Sequence, residues 1–144
     1  MNTLVPITQS TVVRVTDLSL GVPVLIADAG EHATRRFLEF FAATIRNKNT
    51  RMAYYRAVGR FFAWCDHHDL GELVAIEPLH VAAYIEVLQR DYAKPSVKQH
   101  LAALRMLFDW LVTGGVLATN PAHAVRGPKH VVKRGKTPAK LLGI

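Results

Sequence analysis

Cysteine occurs once in the 144 residues, at Cys65. No disulfide can close within the chain and a paired-cysteine zinc site lacks its ligands, so a reducing, cytoplasmic setting is expected. No apolar run approaches the ~18 residues of a membrane-spanning helix. The opening MNTLVPITQS has neither the basic start nor the long apolar stretch of a secretory signal. The expectation is a soluble protein with no membrane partner. A glycine-rich phosphate loop is missing too, since Gly114-Gly115 reads as a helix stop. Acidic residues are absent from two places. None lies between Phe40 and Cys65, where Arg46, Lys48, Arg51, Arg56 and Arg60 accumulate, and none follows residue 123, where six basic residues fall. The formal net charge of +7 is therefore uneven: −1 over residues 1–30, +2 over 31–123 and +6 over 124–144.

What is present is helical periodicity. From Glu31 onward, Ala33, Phe37, Phe40, Phe41, Thr44 and Ile45 fall on one side and Arg35, Arg36, Glu39 and Arg46 on the other. This predicts a first helix, broken by Asn47-Lys48-Asn49. Asn49 and Thr50 can cap a second helix, with Tyr54, Val58, Phe61 and Cys65 as its buried stripe and Tyr55 and Phe62 beside it. Asp69-Leu70-Gly71 ends that helix. Pro78 suits the first position of a third, with Val81, Tyr84, Ile85, Leu88 and Tyr92 inward; Lys94-Pro95-Ser96 separates it from a fourth, with Val97, Leu101, Leu104, Phe108 and Leu111 inward and Trp110 at the border. Four such helices on short connections bury their faces only against one another, which predicts an all-α, compact four-helix bundle. Residues 1–30 read as an N-terminal arm, either a short β-hairpin of VVRV (12–15) and VPVLI (22–26) or disordered chain. The helical unit covers 31–126. Residues 127–144, rich in basic residues with Gly and Pro, read as a linker that buries no core.

The second helix has an aromatic inside and a cationic outside. Arg56 and Arg60 stand one turn apart with no acid to pair them, an arrangement that costs a few tenths of a kcal/mol and that an anionic partner relieves. A merely solvated face is the plainer reading of one basic stripe, and a helical protein-interaction domain that meets an acidic partner is the alternative function.

The order NTRMAYYRAVGRFFAWC, PLHVAAYIEVL, SVKQHLAALRMLFDWLVTGGVLATNPAHAV and a basic GKTP segment resembles the core-binding domain of tyrosine recombinases, the phage-integrase family. The Asn-Thr-Arg helix start, Ala-Leu-Arg-x-Leu-Phe-x-Trp-Leu at 103–111 and Asn-Pro-Ala at 120–122 carry the resemblance. It implies a SAM-like orthogonal bundle that clamps a recombination-site duplex, with the second and fourth helices facing DNA, and assembly with other recombinase protomers. The implied DNA-binding residues are Asn49, Thr50, Arg51, Arg56 and Arg60 on the second helix, Lys94, Ser96, Lys98, Gln99 and Arg105 at or in the fourth, and Lys129, Lys133, Arg134 and Lys136 in the linker. The charge map picks nearly the same set.

In that family the chemistry resides in a separate domain after the linker, with a tyrosine nucleophile, arginines, a lysine and histidines. On this reading the chain is a DNA-binding part without catalytic residues, metal or cofactor. His32-Ala-Thr-Arg35 fits the spelling of a catalytic His-x-x-Arg but precedes the binding helices, so it reads as a chance match. Cys65, His67, His68 and Asp69 crowd one helix end without a second ligand pair, which reads as a helix terminus rather than a metal site.

Overall fold

The computed structural model describes residues 4–5 and 21–128. Leu4–Val5 (β1) pairs antiparallel with Val22–Pro23 (β2), Val5 opposite Val22. Five α-helices follow among the described residues: α1 Val24–Asp28, α2 Glu31–Glu39, α3 Lys48–His67, α4 Pro78–Asp91 and α5 Lys94–Thr113. A π-helical turn, Phe40–Thr44, continues α2, and a 3-10 turn, Leu73–Ala75, leads into α4. The protein is an all-α bundle whose four longer helices enclose one hydrophobic core, and α3 against α5 is the principal packing.

The VPVLI stretch is extended only at Val22–Pro23 and helical from Val24. Its apolar residues come too close together for a half-buried strand: Leu25 and Ile26 are adjacent and both buried, which one face of a helical turn permits and strand alternation forbids. Val22, Leu25 and Ile26 thus belong to the core although they precede residue 31. The VVRV stretch at 12–15 lies outside the described residues, as do Lys129, Lys133, Arg134 and Lys136.

Further along, the expected stripes shift by a residue or two. The π turn carries Phe40, Phe41 and Ile45 inward together and leaves Thr44 exposed, because one additional residue per turn rotates the following positions off the 3.6-residue stripe. Asn47, not Asn49 or Thr50, caps α3: its Oδ1 accepts the Thr50 amide at 3.0 Å. Tyr55 rather than Tyr54 is buried there, beside Val58, Phe61, Phe62 and Cys65. The Tyr55 hydroxyl donates to the Gly21 carbonyl and so ties α3 to the chain entering α1. Lys94-Pro95-Ser96 is not a separator but the first turn of α5, where proline's missing amide costs nothing. Tyr92 is only half-buried.

The core is aromatic. Phe61 meets Phe62, Trp64, Tyr84 and Phe108 with centroids 5.1–6.2 Å apart, which joins α3, α4 and α5. A second cluster, Phe37, Phe40, Phe41 and Tyr55, joins α2 to α3. Trp110 lies under the Arg36 guanidinium at 3.6 Å, donates its indole N–H to the Arg36 carbonyl (2.8 Å) and accepts from Arg36 Nε at its own carbonyl (3.1 Å), which fastens α2 to α5.

Candidate nucleic-acid interface

Burial of Val58, Phe61, Phe62 and Cys65 turns the opposite side of α3 to solvent, and with it Arg56 and Arg60, both exposed. The Arg60 guanidinium lies 5.1 Å from the centre of the Tyr92 ring at the end of α4, and Tyr92 packs edge-on against His100 of α5 at 5.3 Å. Burial, and then the Arg60 charge, hold the His100 imidazole below its ordinary range. Arg60 also acts on Tyr84, whose hydroxyl burial raises and Arg60 partly lowers. Arg60 therefore stands where α3, α4 and α5 meet.

The first turns of α5 begin at that junction. Lys94, Lys98 and Gln99 are exposed and Ser96 is half-buried; no side chain caps this helix start, so its positive end adds to the lysines. Among the described residues no hydrogen bond or ion pair engages Arg56, Lys94 or Lys98. The structure thus brings Arg60, one turn from Arg56 on α3, to the α4–α5 corner at His100, while Lys98 lies on the flank of α5 that faces Gly127.

Other members of the expected set have employment within the chain. Arg51 donates through Nη2 to the Ile45 carbonyl (3.0 Å) and through Nε to the same oxygen (3.3 Å), which closes the end of the π turn. Arg105 is half-buried: its Nε donates to the Ala122 carbonyl (3.3 Å) and its Nη2 to the Val125 carbonyl. Thr50 spends its amide on the Asn47 cap, and Asn49 is exposed beside it. The resemblance implies DNA contact for Arg51 and Arg105, but Arg51 satisfies a carbonyl at the end of the π turn and Arg105 satisfies carbonyls of the segment after α5.

Asn120, Tyr92 and His100 were not in the expected set. Asn120 donates from Nδ2 to Asp109 Oδ1 (2.7 Å) and to the Arg105 carbonyl (3.1 Å), while its Oδ1 accepts the Ala122 amide (2.8 Å). The Asn-Pro spelling marked a turn, and this bonding is its structural content. Nothing local marks Tyr92 and His100 as neighbours of Arg60, because that contact exists only once α3 lies against the α4–α5 corner.

The remaining polar constellations have structural partners. His32 Nε2 lies 2.7 Å from the Gly114 carbonyl at the end of α5, so the His32-x-x-Arg35 spelling falls at a helix-end contact. His68 stacks on Trp64 at 4.1 Å with its Nδ1 2.9 Å from the Trp64 carbonyl, and burial pushes the Cys65 thiol up to about 12. Among the described residues no helix is long and apolar enough to cross a membrane.

Comparison with known proteins gives the geometry its context. A family model described as phage integrase, N-terminal SAM-like domain, matches residues 34–114, more than half of the chain. The tyrosine recombinase XerC of Xylella fastidiosa strain M23 is 33% identical over 88 residues, covering 60% of this chain and 30% of the relative. XerC of strain 9a5c is 34% identical over 86 residues, 59% of this chain and 29% of the relative. XerC of Xanthomonas campestris pv. campestris strain B100 is 26% identical over 121 residues, 80% of this chain and 38% of the relative. The chain thus spans about a third of the length of the curated relatives it matches. No solved structure matches it significantly. With most of α2, its π turn and all of α3, α4 and α5 inside the matched region, the chain belongs to the phage integrase N-terminal SAM-like domain family.

Proposed function

We propose that this domain binds duplex DNA as the N-terminal, core-binding part of a tyrosine recombinase, serving DNA integration and recombination together with other recombinase protomers. The observation that carries the reading is the placement of Arg60 over Tyr92 beside His100, which joins the α3 cations to the start of α5. Arg56 and Arg60 of α3 and Lys94 and Lys98 of α5 are the phosphate-binding cations of this reading, and Ser96 and Gln99 its neutral hydrogen-bonding groups. The basic residues of 129–144 extend this set in sequence. Arg51 and Arg105 contribute by holding the helices and the C-terminal segment in place.

Phosphate contacts position a protein and carry little base information, so sequence preference of the domain alone is modest. If roughly six phosphates are neutralised, the logarithm of the association constant falls against the logarithm of salt concentration with a slope near −5. Anisotropy of a labelled duplex titrated at several salt concentrations measures this. A slope near zero assigns the basic surface to solvent or to an acidic protein instead.

A further inference from the structure

Arg60 meets the rest of the chain differently from Arg36, Arg51 and Arg105. Arg51 and Arg105 give guanidinium N–H groups to backbone carbonyls. Arg36 lies over the Trp110 ring much as Arg60 lies over Tyr92, but its Nε is taken by the Trp110 carbonyl and its Nη1 lies 3.8 Å from Glu39. Arg60 is held by its ring contact, 5.1 Å from the centre of Tyr92, and among the described residues no hydrogen bond or ion pair takes its N–H groups. Two polar atoms at this corner, Tyr84 Oη and His100 Nδ1, are buried without a hydrogen-bond partner among the described residues, and the Arg60 charge acts on both side chains. The guanidinium nonetheless stays exposed over Tyr92 instead of turning in to either. The ring that carries it is fixed on both sides. Tyr92 and Ala93 are all that separates α4 from α5, the Tyr92 amide donates to the Leu88 carbonyl at 2.9 Å, and the ring packs edge-on against His100 at 5.3 Å.

We propose that Tyr92, backed by His100, is a positioning residue that holds the Arg60 guanidinium ready for a DNA phosphate, and that position 60 therefore requires arginine rather than lysine. The proposal rests on the DNA-binding reading and names what prepares one contact of it. An arginine tied to carbonyls, such as Arg51 or Arg105, has spent donors on its own chain. A cation–π contact orients the guanidinium and leaves its donors for the oxygens of a phosphate. A side chain of this length otherwise loses rotamer freedom when it binds, and the ring removes part of that cost beforehand. Lysine carries the same charge, but its compact, strongly hydrated ammonium has no planar fork to present. His100 suits its place behind the ring, because burial and the Arg60 charge disfavour its protonated form and no second cation competes for the Tyr92 π electrons.

The test is a double-mutant cycle on the full chain, read by anisotropy of a fluorescein-labelled duplex of about 30 base pairs at several salt concentrations. Arg60→Ala removes a charge and shallows the salt slope by about 0.9. Arg60→Lys and Tyr92→Leu keep every charge, so each leaves the slope unchanged and weakens binding about threefold, the worth of an exposed cation–π contact. In the Tyr92→Leu background, Arg60→Lys has no further effect. Tyr92→Phe keeps the aromatic face without the hydroxyl and binds as tightly as the wild type. A second readout needs no DNA: in proton NMR spectra the Arg60 side-chain resonances, displaced by the ring current in the wild type and in Tyr92→Phe, return towards ordinary arginine positions in Tyr92→Leu. A ring with only a packing role lowers the melting temperature in Tyr92→Leu without coupling to Arg60. Additive effects of Arg60→Lys and Tyr92→Leu, wild-type affinity in Tyr92→Leu, or Arg60 resonances indifferent to the ring overturn the proposal, while salt-dependent binding by the wild type leaves the DNA-binding reading intact. Absence of salt-dependent binding by the wild type overturns both.

Discussion

Phe61 and Arg56 stand five residues apart on α3 and do opposite work. Phe61 is fully buried among Phe62, Trp64, Tyr84 and Phe108, so truncation to alanine opens a cavity where three helices meet. Phe61→Ala should cost about 3–5 kcal/mol in chemical denaturation. Arg56 is exposed, so Arg56→Ala should leave stability within about 0.5 kcal/mol yet weaken duplex binding. Exchange of the two phenotypes would mean that α3 is rotated from the orientation described. His100 adds a titration. Its folded-state pKa is depressed below the ordinary 6.5 by burial and by Arg60, so the unfolded chain binds a proton that the folded chain refuses. Stability from this group is therefore intact above about pH 6.5 and declines as the pH falls below it towards the folded-state pKa. Thermal melts between about pH 7.5 and 5 should show the decline, and His100→Gln should reduce it; an unchanged decline in that variant would assign the titration to another histidine.

The closing of α2 onto α5 depends on a glycine. A β-carbon on Gly114 would overlap the Arg36 side chain, which at that point is clamped over Trp110 and held by the Trp110 carbonyl. Gly114→Ala should push Arg36 off the indole and cost about 1–2 kcal/mol, the worth of a desolvated cation–π contact and a hydrogen bond. A shift in Trp110 fluorescence alongside the lowered melting temperature checks this. An unchanged indole environment would show that Arg36 accommodates the methyl without leaving. Gly114-Gly115 was legible in the sequence as a helix stop, but its second use was not, because Arg36 comes from 78 residues away. The same divide runs through the other elements. Proline at the start of α4, and the apolar spacing of Val81, Ile85 and Leu88 or Leu101, Leu104 and Phe108, are local signals and predict helices directly, whereas Pro95 reads as part of a separator although it lies in the first turn of α5. The π turn at Phe40–Thr44 is not local in that sense. It is stabilised by burying Phe40, Phe41 and Ile45 together, a tertiary reward that a 3.6-residue pattern hides. The helical turn at Val24–Asp28 has the same origin, since Leu25 and Ile26 earn their burial from α2 and the core.

For the molecule as a whole, charge was the most readable property of the proposed site and contact the least. Counting residues finds Arg56, Arg60, Lys94 and Lys98, but it finds Arg51 and Arg105 equally, and only the folded chain shows that those two satisfy its own carbonyls. The same comparison of local chemistry with folded environment decides what the tyrosines can do. A phenol attacks a phosphodiester usefully only when cations and proton-transfer groups lower its pKa and stabilise the charge developing on phosphorus. Tyr55 has the reverse: burial raises it to about 12 while its hydroxyl donates to the Gly21 carbonyl. Tyr84 is buried and also raised, with Arg60 offsetting only part of the effect. Tyr54 is half-buried on α3. Tyr92 also has Arg60 at hand, but the guanidinium lies over the face of its ring, where it attracts the π electrons rather than an oxyanion. These residues by themselves should therefore form no covalent link to DNA. Incubation with a nicked duplex that traps a phosphotyrosyl intermediate, followed by a denaturing gel, should show protein and DNA migrating apart for the wild type and for Tyr92→Phe alike. A wild-type adduct that disappears in Tyr92→Phe would make the Arg60–Tyr92 pair a nucleophile site instead of a docking surface for phosphate.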